Sequence, residues 1–354
     1  MELPAGWGEL GLLRQLRERS AEGGRGELRL GIGDDCALIR LRAHEELAVT
    51  TDLSIAGRHF RLDWHPPETI GYRALARGLS DLAAMGARPV AAFLSLGLPR
   101  ELTQARSRAI TTSWMSLFLD GLLRLAREHH TPLAGGDLAE SPLALADIVL
   151  IGAVGKNRAL LRSGAAPGDV LYVTGALGGA AAALERLEKL AAKRGFRPEK
   201  LRAAKIAAGM AAHLEPQPRI AQGLWLARRG AATAAIDLSD GLSTDLNHIC
   251  EESGVGAEIE EALLPIHAGA SLKQALNGGE DYELLFAARS TARIPREIEG
   301  VAVTRIGRVV KRRKSEPAAV MLSERGAEPL EARGWEHFAE PSARDTLERR
   351  SVKA

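Results

Sequence analysis

"AAIDLSDGLSTDLNHICEESG", residues 234–254, decides the fold class: a short apolar run reaches Asp237, a Ser-Asp-Gly turn follows, and a helix begins near Leu242. "DVLYVTGALGGAAAALERLEKLAAKRG", residues 169–195, repeats that order of strand, Gly-rich turn and helix. Upstream, "LRLGIGDDCALIRL" (28–41) reads as two short strands around a Gly-Asp turn and "ELAVTTDLSIAG" (46–57) as a third strand. From Pro67, the residues Ile70, Ala74, Leu75, Leu79, Leu82 and Ala83 recur at helical spacing until Gly86, which places Ser80 and Asp81 late in a helix. "PVAAFLSLGLP" (89–99) reads as a buried strand, "RAITTSWMSLFLDGLLRLAREHH" (108–130) as one long helix, "LAGGDLAES" (133–141) as a loop and "ALADIVLIGAVG" (144–155) as a strand. Residues 200–230 read as helical. The alternation predicts an α/β fold of the α+β type.

With 354 residues the chain exceeds one ordinary core, so two domains of roughly 150 residues each are expected. "GKNRALLRSGAAPGD" (155–169) has no periodicity and marks the connection. The expected division is residues 1–155, 156–340, and a charged, solvated tail at 341–354. Lys and Arg number 47 against 45 Asp and Glu, a net charge of +2 that gives no global field for nucleic acid or an anionic membrane. "MELPAGWGEL" shows no basic stretch followed by an apolar run, and Cys36 and Cys250 lack metal-ligand spacing. The expectation is a soluble cytoplasmic protein with reduced thiols.

Carboxylates recur beside Gly, Ser or Thr at strand and helix ends: Asp34, Asp35, Asp52, Asp81, Asp137, Asp237 and Asp240. Taken singly, most suit turns or caps, Asp240 as a cap for the helix near Leu242. Asp81 resists that reading, because a helix C-terminal end disfavours negative charge. Gathered around one cleft, they stay ionised only beside divalent cations, and an all-oxygen donor set points to Mg²⁺ or Mn²⁺ holding a polyphosphate. No P-loop, kinase or dinucleotide fingerprint is present; "VTGALGG" (173–179) is a weak phosphate-loop signal. In "NGGEDYELLF" (277–286), alternation turns Tyr282 and Leu284 inward and leaves Asp281 and Glu283 facing solvent.

In order along the chain, "GIGDDCAL" (31–38), "TTDLSIAGRHF" (50–60), "ALARGLSDLAAMGARP" (74–89), "LAGGDLAESP" (133–142), "RSGAAPGDVLYVTG" (162–175), "IDLSDGLSTDL" (236–246), "GGEDYELLF" (278–286) and "GWEHF" (334–338) resemble the motifs of the thiamine-monophosphate kinase family. That family shares a superfamily with aminoimidazole ribonucleotide synthetase and selenophosphate synthetase. The resemblance implies Mg²⁺-assisted transfer of the γ-phosphoryl group of ATP to thiamine monophosphate. It implies ligands for several Mg²⁺ ions at Asp35, Thr50, Thr51, Asp52, Asp81, Asp137, Asp237 and Asp240, and ATP contacts at Gly136, Asp137, Arg162 and Ser239. It places the thiamine substrate at His59, Glu280 and Trp335. It further implies a homodimer in which the N-terminal sheets pair, with a C-terminal α/β domain beside each. Leu138 stands where the family usually has threonine, and Thr50 where it often has serine.

A phosphate monoester acceptor, with its second pKa near 6, is already mostly anionic at neutral pH, so no dedicated general base is expected. On the residues alone, Glu280 caps or braces the following strand and Trp335 packs in a core; the resemblance implies instead that Glu280 meets the cationic thiazolium or the aminopyrimidine and that Trp335 stacks on the acceptor. The alternatives are selenophosphate synthetase-like or hydrogenase-maturation-like chemistry, which depends on a terminal cysteine or selenocysteine not seen here, or a non-catalytic metal and nucleotide sensor.

Overall fold

The computed structural model describes residue 18 and residues 27–107, 110–202, 209–313 and 317–335. The expected tail at 341–354 lies outside the described residues.

The N-terminal half runs β1 (Leu28–Leu30), β2 (Leu38–Ile39), β3 (Glu45–Ile55), α1 (Pro67–Ala84), β4 (Arg88–Leu98), α2 (Arg100–Thr103), β5 (Ala105–Ser107), β6 (Ile110–Ser113), α3 (Trp114–Glu128), β7 (Leu133–Glu140) and β8 (Leu145–Gly155). The C-terminal half runs β9 (Val170–Thr174), α4 (Gly179–Ala191), α5 (Ala211–Leu214), α6 (Ile220–Arg229), β10 (Ala234–Asp237), α7 (Leu242–Ser253), β11 (Gly256–Glu260), α8 (Leu272–Asn277), β12 (Leu284–Ala288), β13 (Glu297–Ile298), β14 (Val301–Val310), β15 (Ala319–Ser323) and β16 (Gly326–Pro329).

Two sheets organise these elements. The first has the order β3-β8-β4-β7, antiparallel except for the parallel β4–β7 pair. The second has the order β10-β12-β9-β14-β11-β15-β16, with β13 paired to β14. Helices α1 and α3 cover one face of the first sheet. They approach closely because Gly71 and Gly121 face each other across the contact: a Cβ on Gly71 would meet the Phe118 carbonyl, and one on Gly121 the Glu68 carbonyl. The largest apolar core joins α1, α3, β4 and β8 to Leu284 and Phe286 of the second sheet, so the two halves share buried contacts.

Three segments differ from the sequence expectation. The helix expected over 108–130 starts at Trp114, where the Ser113 hydroxyl accepts from the Ser116 N–H at 3.1 Å; the β-branched Ile110, Thr111 and Thr112 form β6. "LAGGDLAES" is strand β7 and not a loop. Its two glycines let β7 lie against β4, since a Cβ on Gly136 (φ +144°) would meet the Leu94 carbonyl. Residues 200–230 are interrupted: α5 and α6 are separate helices, and "LEPQP" breaks between them.

Candidate active site

Helix α1 is the spine of the site. Arg73, Arg77 and Asp81 follow at four-residue intervals, so the three charged groups share one face. Arg77 donates to Asp52 Oδ1 of β3 through Nε at 3.2 Å and Nη2 at 2.8 Å. Thr50, two residues earlier on the same face of β3, donates a short hydrogen bond to Asp81. Ser80 reaches the other half of the chain, its hydroxyl donating to Asp237 Oδ2 at 2.7 Å at the end of β10. Arg73 pairs with Glu280 Oε1 at 2.5 Å and donates to the His59 carbonyl at 3.2 Å.

These groups surround a cavity of about 510 Å³ between the two sheets, lined by Asp52, His59, Arg77, Asp81, Asp237, Ser239, Asp240, Glu280 and Trp335 among others. Trp335 is half exposed, and its backbone N–H donates to the Asp240 carbonyl at 3.1 Å. It stands at the edge of the cavity and not in a core. His59 Nδ1 accepts from the Ile55 N–H at 3.1 Å.

The electrostatics mark a surplus of negative charge. Burial, with Asp237 and Asp52 nearby, raises Asp81 to about 7 against the Thr50 hydrogen bond and Arg162. Burial likewise raises Asp237 to about 6, opposed by the Ser80 hydroxyl, with Asp52 adding and Arg162 subtracting. Asp245 rises to about 8 through burial and the charges of Asp237 and Asp240. Hard oxygen donors that resist ionisation together are a fitting set for Mg²⁺.

The expected metal set does not meet in one cleft within a single chain. Asp35, Gly136 and Asp137 line a second cavity of about 920 Å³ with Phe93 and Leu138. Strand register explains the separation: Asp52, Ile148, Leu94 and Gly136 form one row across β3, β8, β4 and β7, which puts Gly136 three strands, about 14 Å, from Asp52. Leu53, Asp147, Ser95 and Asp137 form the next row, on the face away from α1. Thr51, expected beside Thr50 and Asp52, is exposed on that outward face because adjacent strand residues alternate. Arg162 is exposed and outside the lining of either cavity, though its charge reaches Asp81 and Asp237.

Three further expectations are corrected. Asp240 does not cap α7; Gly241 occupies that position, and Asp245 accepts from the Asp240 N–H at 3.2 Å and the Gly241 N–H at 3.0 Å. Asp281 does not face solvent but accepts from the N–H groups of Gly178 at 2.5 Å and Ala180 at 3.0 Å, meeting the open donors that begin α4. Glu283 is buried, with Arg219 Nε at 2.6 Å and the Thr174 hydroxyl at 2.7 Å. Alternation fails here because Glu280 (φ +68°) and Tyr282 (φ +50°) are left-handed, so the segment is a strained loop before β12.

Sequence reading missed Arg73, Arg77, Asp245 and the histidine pair His65 and His213. The four-residue spacing from Arg73 to Asp81 was visible; the histidines, 148 residues apart, carried no local signal. Among the described residues, Asp240, Asp245 and His248 bring three donor atoms within 4.8 Å of one another.

A family model described as AIR synthase related protein, N-terminal domain, matches residues 33–157, and its C-terminal counterpart matches residues 166–319. Thiamine-monophosphate kinase of Escherichia coli (strain K12) is 38% identical over 348 residues, covering 94% of this chain and 99% of the relative. The crystal structure of thiamine-monophosphate kinase from Stenotrophomonas maltophilia K279a has 36% identity and a TM-score of 0.72, covering 88% of this chain and 95% of that one. A solved complex described as AaThiL with AMPPCP and TMP has 30% identity and a TM-score of 0.69, covering 94% and 97%. The motifs, the fold and these similarities agree: the chain belongs to the thiamine-monophosphate kinase family of AIR synthase related proteins.

Proposed function

We propose that this protein transfers the γ-phosphoryl group of ATP to thiamine monophosphate, giving thiamine diphosphate and ADP. The observation that carries the reading is the meeting of Asp52, Asp81 and Asp237, from distant segments, in one cavity whose wall also holds Glu280 and Trp335. A relative of 30% identity, described as a complex with the ATP analogue AMPPCP and with TMP, supports both substrates.

Asp52, Asp81 and Asp237 would hold Mg²⁺, with Thr50 and Ser80 orienting the carboxylates. Bound Mg²⁺ supplies charge neutralisation between the triphosphate and the acceptor phosphate. The chain's own part is positioning. Glu280 keeps acceptor capacity beyond Arg73 and presents negative charge to the thiazolium, while Trp335 offers an aromatic face. Burial alone would raise the Glu280 carboxyl, but Arg73, His213 and Arg77 hold it well below the usual carboxylate range, so it stays anionic. His59 is not needed as a base.

A homodimer is part of this reading. Leu47, Val49 and Leu53 are 54%, 54% and 45% exposed on the outward face of β3, an apolar row suited to a second copy. Asp137 lies on the same outward face of the sheet, three strands from β3, and lines a cavity with Asp35 and Gly136, so a partner covering the face would help to enclose them. The free thiols of Cys36 and Cys250 support a cytoplasmic setting. Among the described residues no helix is long and apolar enough to cross a membrane.

ADP release with Mg²⁺ and ATP, measured with and without thiamine monophosphate, tests the function. Release that depends on thiamine monophosphate, with thiamine diphosphate formed in equal amount, is the expected result. Release indifferent to it would reject the reading.

A further inference from the structure

Behind Glu280, a chain of buried polar groups crosses between the two halves of the protein. His65, in the segment before α1, has Nδ1 at 3.1 Å from both the N–H and the carbonyl of Arg61. Its Nε2 lies 3.0 Å from Nε2 of His213 on α5. His213 Nδ1 lies 3.3 Å from Glu280 Oε2, within ion-pair distance but outside hydrogen-bond geometry and with no other hydrogen-bond partner, and Arg73 Nη2 lies 2.5 Å from Glu280 Oε1. Both rings are 2% exposed, so water cannot supply alternative partners.

Two imidazole nitrogens 3.0 Å apart share one proton: one ring donates and the other accepts. If His65 Nδ1–H donates to the Arg61 carbonyl, then His65 Nε2 accepts and His213 Nε2 carries the proton. His213 Nδ1 is then bare and turns its lone pair on the Glu280 carboxylate, which is repulsive. In the other arrangement the Arg61 N–H donates to His65 Nδ1, His65 Nε2–H donates to His213 Nε2, and His213 Nδ1–H faces Glu280. The one acceptor–acceptor contact left is His65 Nδ1 beside the Arg61 carbonyl, a neutral oxygen already served by the His65 backbone N–H at 2.9 Å, whereas the other order sets a lone pair against an anion, so Glu280 selects this order. A second proton would set two N–H groups against each other beside Arg73. Burial, reinforced by Arg73, depresses both rings, His65 to about 2, which leaves them neutral.

We propose that His213, oriented by His65, is a positioning residue that aims the Glu280 carboxylate at the acceptor through a fixed Nδ1–H, tying the segment carrying His59 and His65 to substrate recognition. This rests on the reading that Glu280 meets the acceptor. His213 lines the same cavity, but its polar contacts run to His65 and Glu280 and not to Asp52, Asp81 or Asp237. Its effect is confined to the acceptor end of the cavity.

Two measurements on the full-length protein test it. Long-range ¹H–¹⁵N spectra of histidine-labelled protein, assigned with His65→Gln and His213→Asn, should show an Nε2–H tautomer for His65 and an Nδ1–H tautomer for His213, unchanged from pH 5.5 to 8. The reverse order, or a titrating ring, overturns the arrangement without any reference to catalysis. In the kinase assay, His213→Leu should raise the KM for thiamine monophosphate about tenfold and leave the KM for ATP within about twofold. His213→Asn, whose amide N–H replaces the Nδ1 donor, should restore most of the loss. Equal loss toward both substrates, or no recovery with Asn, would make His213 merely structural. Glu280→Gln separates the two ideas: a raised acceptor KM there with none in His213→Leu overturns the positioning role alone. No change in Glu280→Gln removes the acceptor reading and the role with it.

Discussion

Arg77 holds Asp52 through two N–H donors on a single carboxylate oxygen, Nε at 3.2 Å and Nη2 at 2.8 Å, at the wall of the cavity proposed to bind Mg²⁺. A cation approaching Asp52 competes with a guanidinium already in place. Such a charge-assisted contact, partly buried, contributes about 1 kcal/mol, roughly fivefold in an equilibrium constant. Arg77→Met is therefore expected to lower the Mg²⁺ concentration for half-saturation by about fivefold, read by calorimetric titration of Mg²⁺ in the presence of an ATP analogue. Unchanged or weaker Mg²⁺ binding would mean that Asp52 does not serve the ion.

With Asp245 and Asp281 acting in the same direction, Asp81 and Asp237 contribute to the pH dependence of the metal-free protein. Both are raised above their ordinary carboxylate values, so the native state binds more protons than the unfolded chain between about pH 4 and 7. Stability contributed by this pair is thus present at low pH and falls as pH rises through that window. Asp81→Asn removes one member: without metal it should melt several degrees above the wild type at pH 8, with the difference closing toward pH 5. The same variant should lose at least about 100-fold in Mg²⁺-dependent turnover. Thermal melts at the two pH values, with the assay beside them, check both. Full activity in Asp81→Asn would reject the metal assignment.

Glu283 is 4% exposed and depends on Arg219 and Thr174 for its charge. Removing one partner of a buried ion pair leaves the other uncompensated, at about 3–5 kcal/mol. Arg219→Leu should lose stability of that order in urea unfolding, and Arg219→Leu with Glu283→Leu should recover much of it. A loss below about 1 kcal/mol in the single variant would show that solvent reaches Glu283.

Most of the elements were legible because period and punctuation agree. The apolar positions of α1 recur at helical spacing until Gly86, β4 and β8 are apolar runs bounded by turns, and β3 has a short apolar stretch that ends in polar residues. What escaped were features decided by contact with remote chain. Gly135 and Gly136 look like loop residues until β4 lies beside them, and "DYE" looks like simple alternation until Glu280 and Tyr282 adopt positive φ. The site was legible in residue type but not in grouping. Nothing local tells that Asp52 and Asp137 sit three strands apart, or that Asp281 serves the amides opening α4. Burial of Glu283 depends on Arg219, a partner 64 residues away that no spacing rule can supply.

On the proposed reading, Trp335 serves the acceptor and not the nucleotide. Its side chain is 49% exposed and lines the cavity that holds Glu280, so truncation opens little core. A cationic ring over an indole face contributes about 0.5–2 kcal/mol. Trp335→Ala should raise the KM for thiamine monophosphate roughly 2- to 30-fold, with the ATP value and the melting temperature nearly unchanged. Equal loss for both substrates in initial-rate kinetics would count against stacking.

The outward face of β3 is where the proposed homodimer would pair. Leu47, Val49 and Leu53 repeat at alternate positions and are about half exposed, whereas the opposite face of the same strand carries Thr50 and Asp52 toward α1. A twofold interface uses the same patch from both copies, so one substitution places two altered side chains in it. Val49→Asp would bury two unpaired carboxylates, each costing several kcal/mol, while leaving the folded chain unburdened because Val49 is already exposed. Sedimentation velocity at micromolar concentration should find the wild type dimeric and Val49→Asp monomeric, with matching far-UV spectra. Because Asp137 lies on the same outward face of the sheet and lines a cavity with Asp35 and Gly136, the monomer should also lose affinity for ATP. A wild type that sediments as a monomer, or a Val49→Asp dimer with unaltered ATP binding, would show that this face serves neither assembly nor nucleotide.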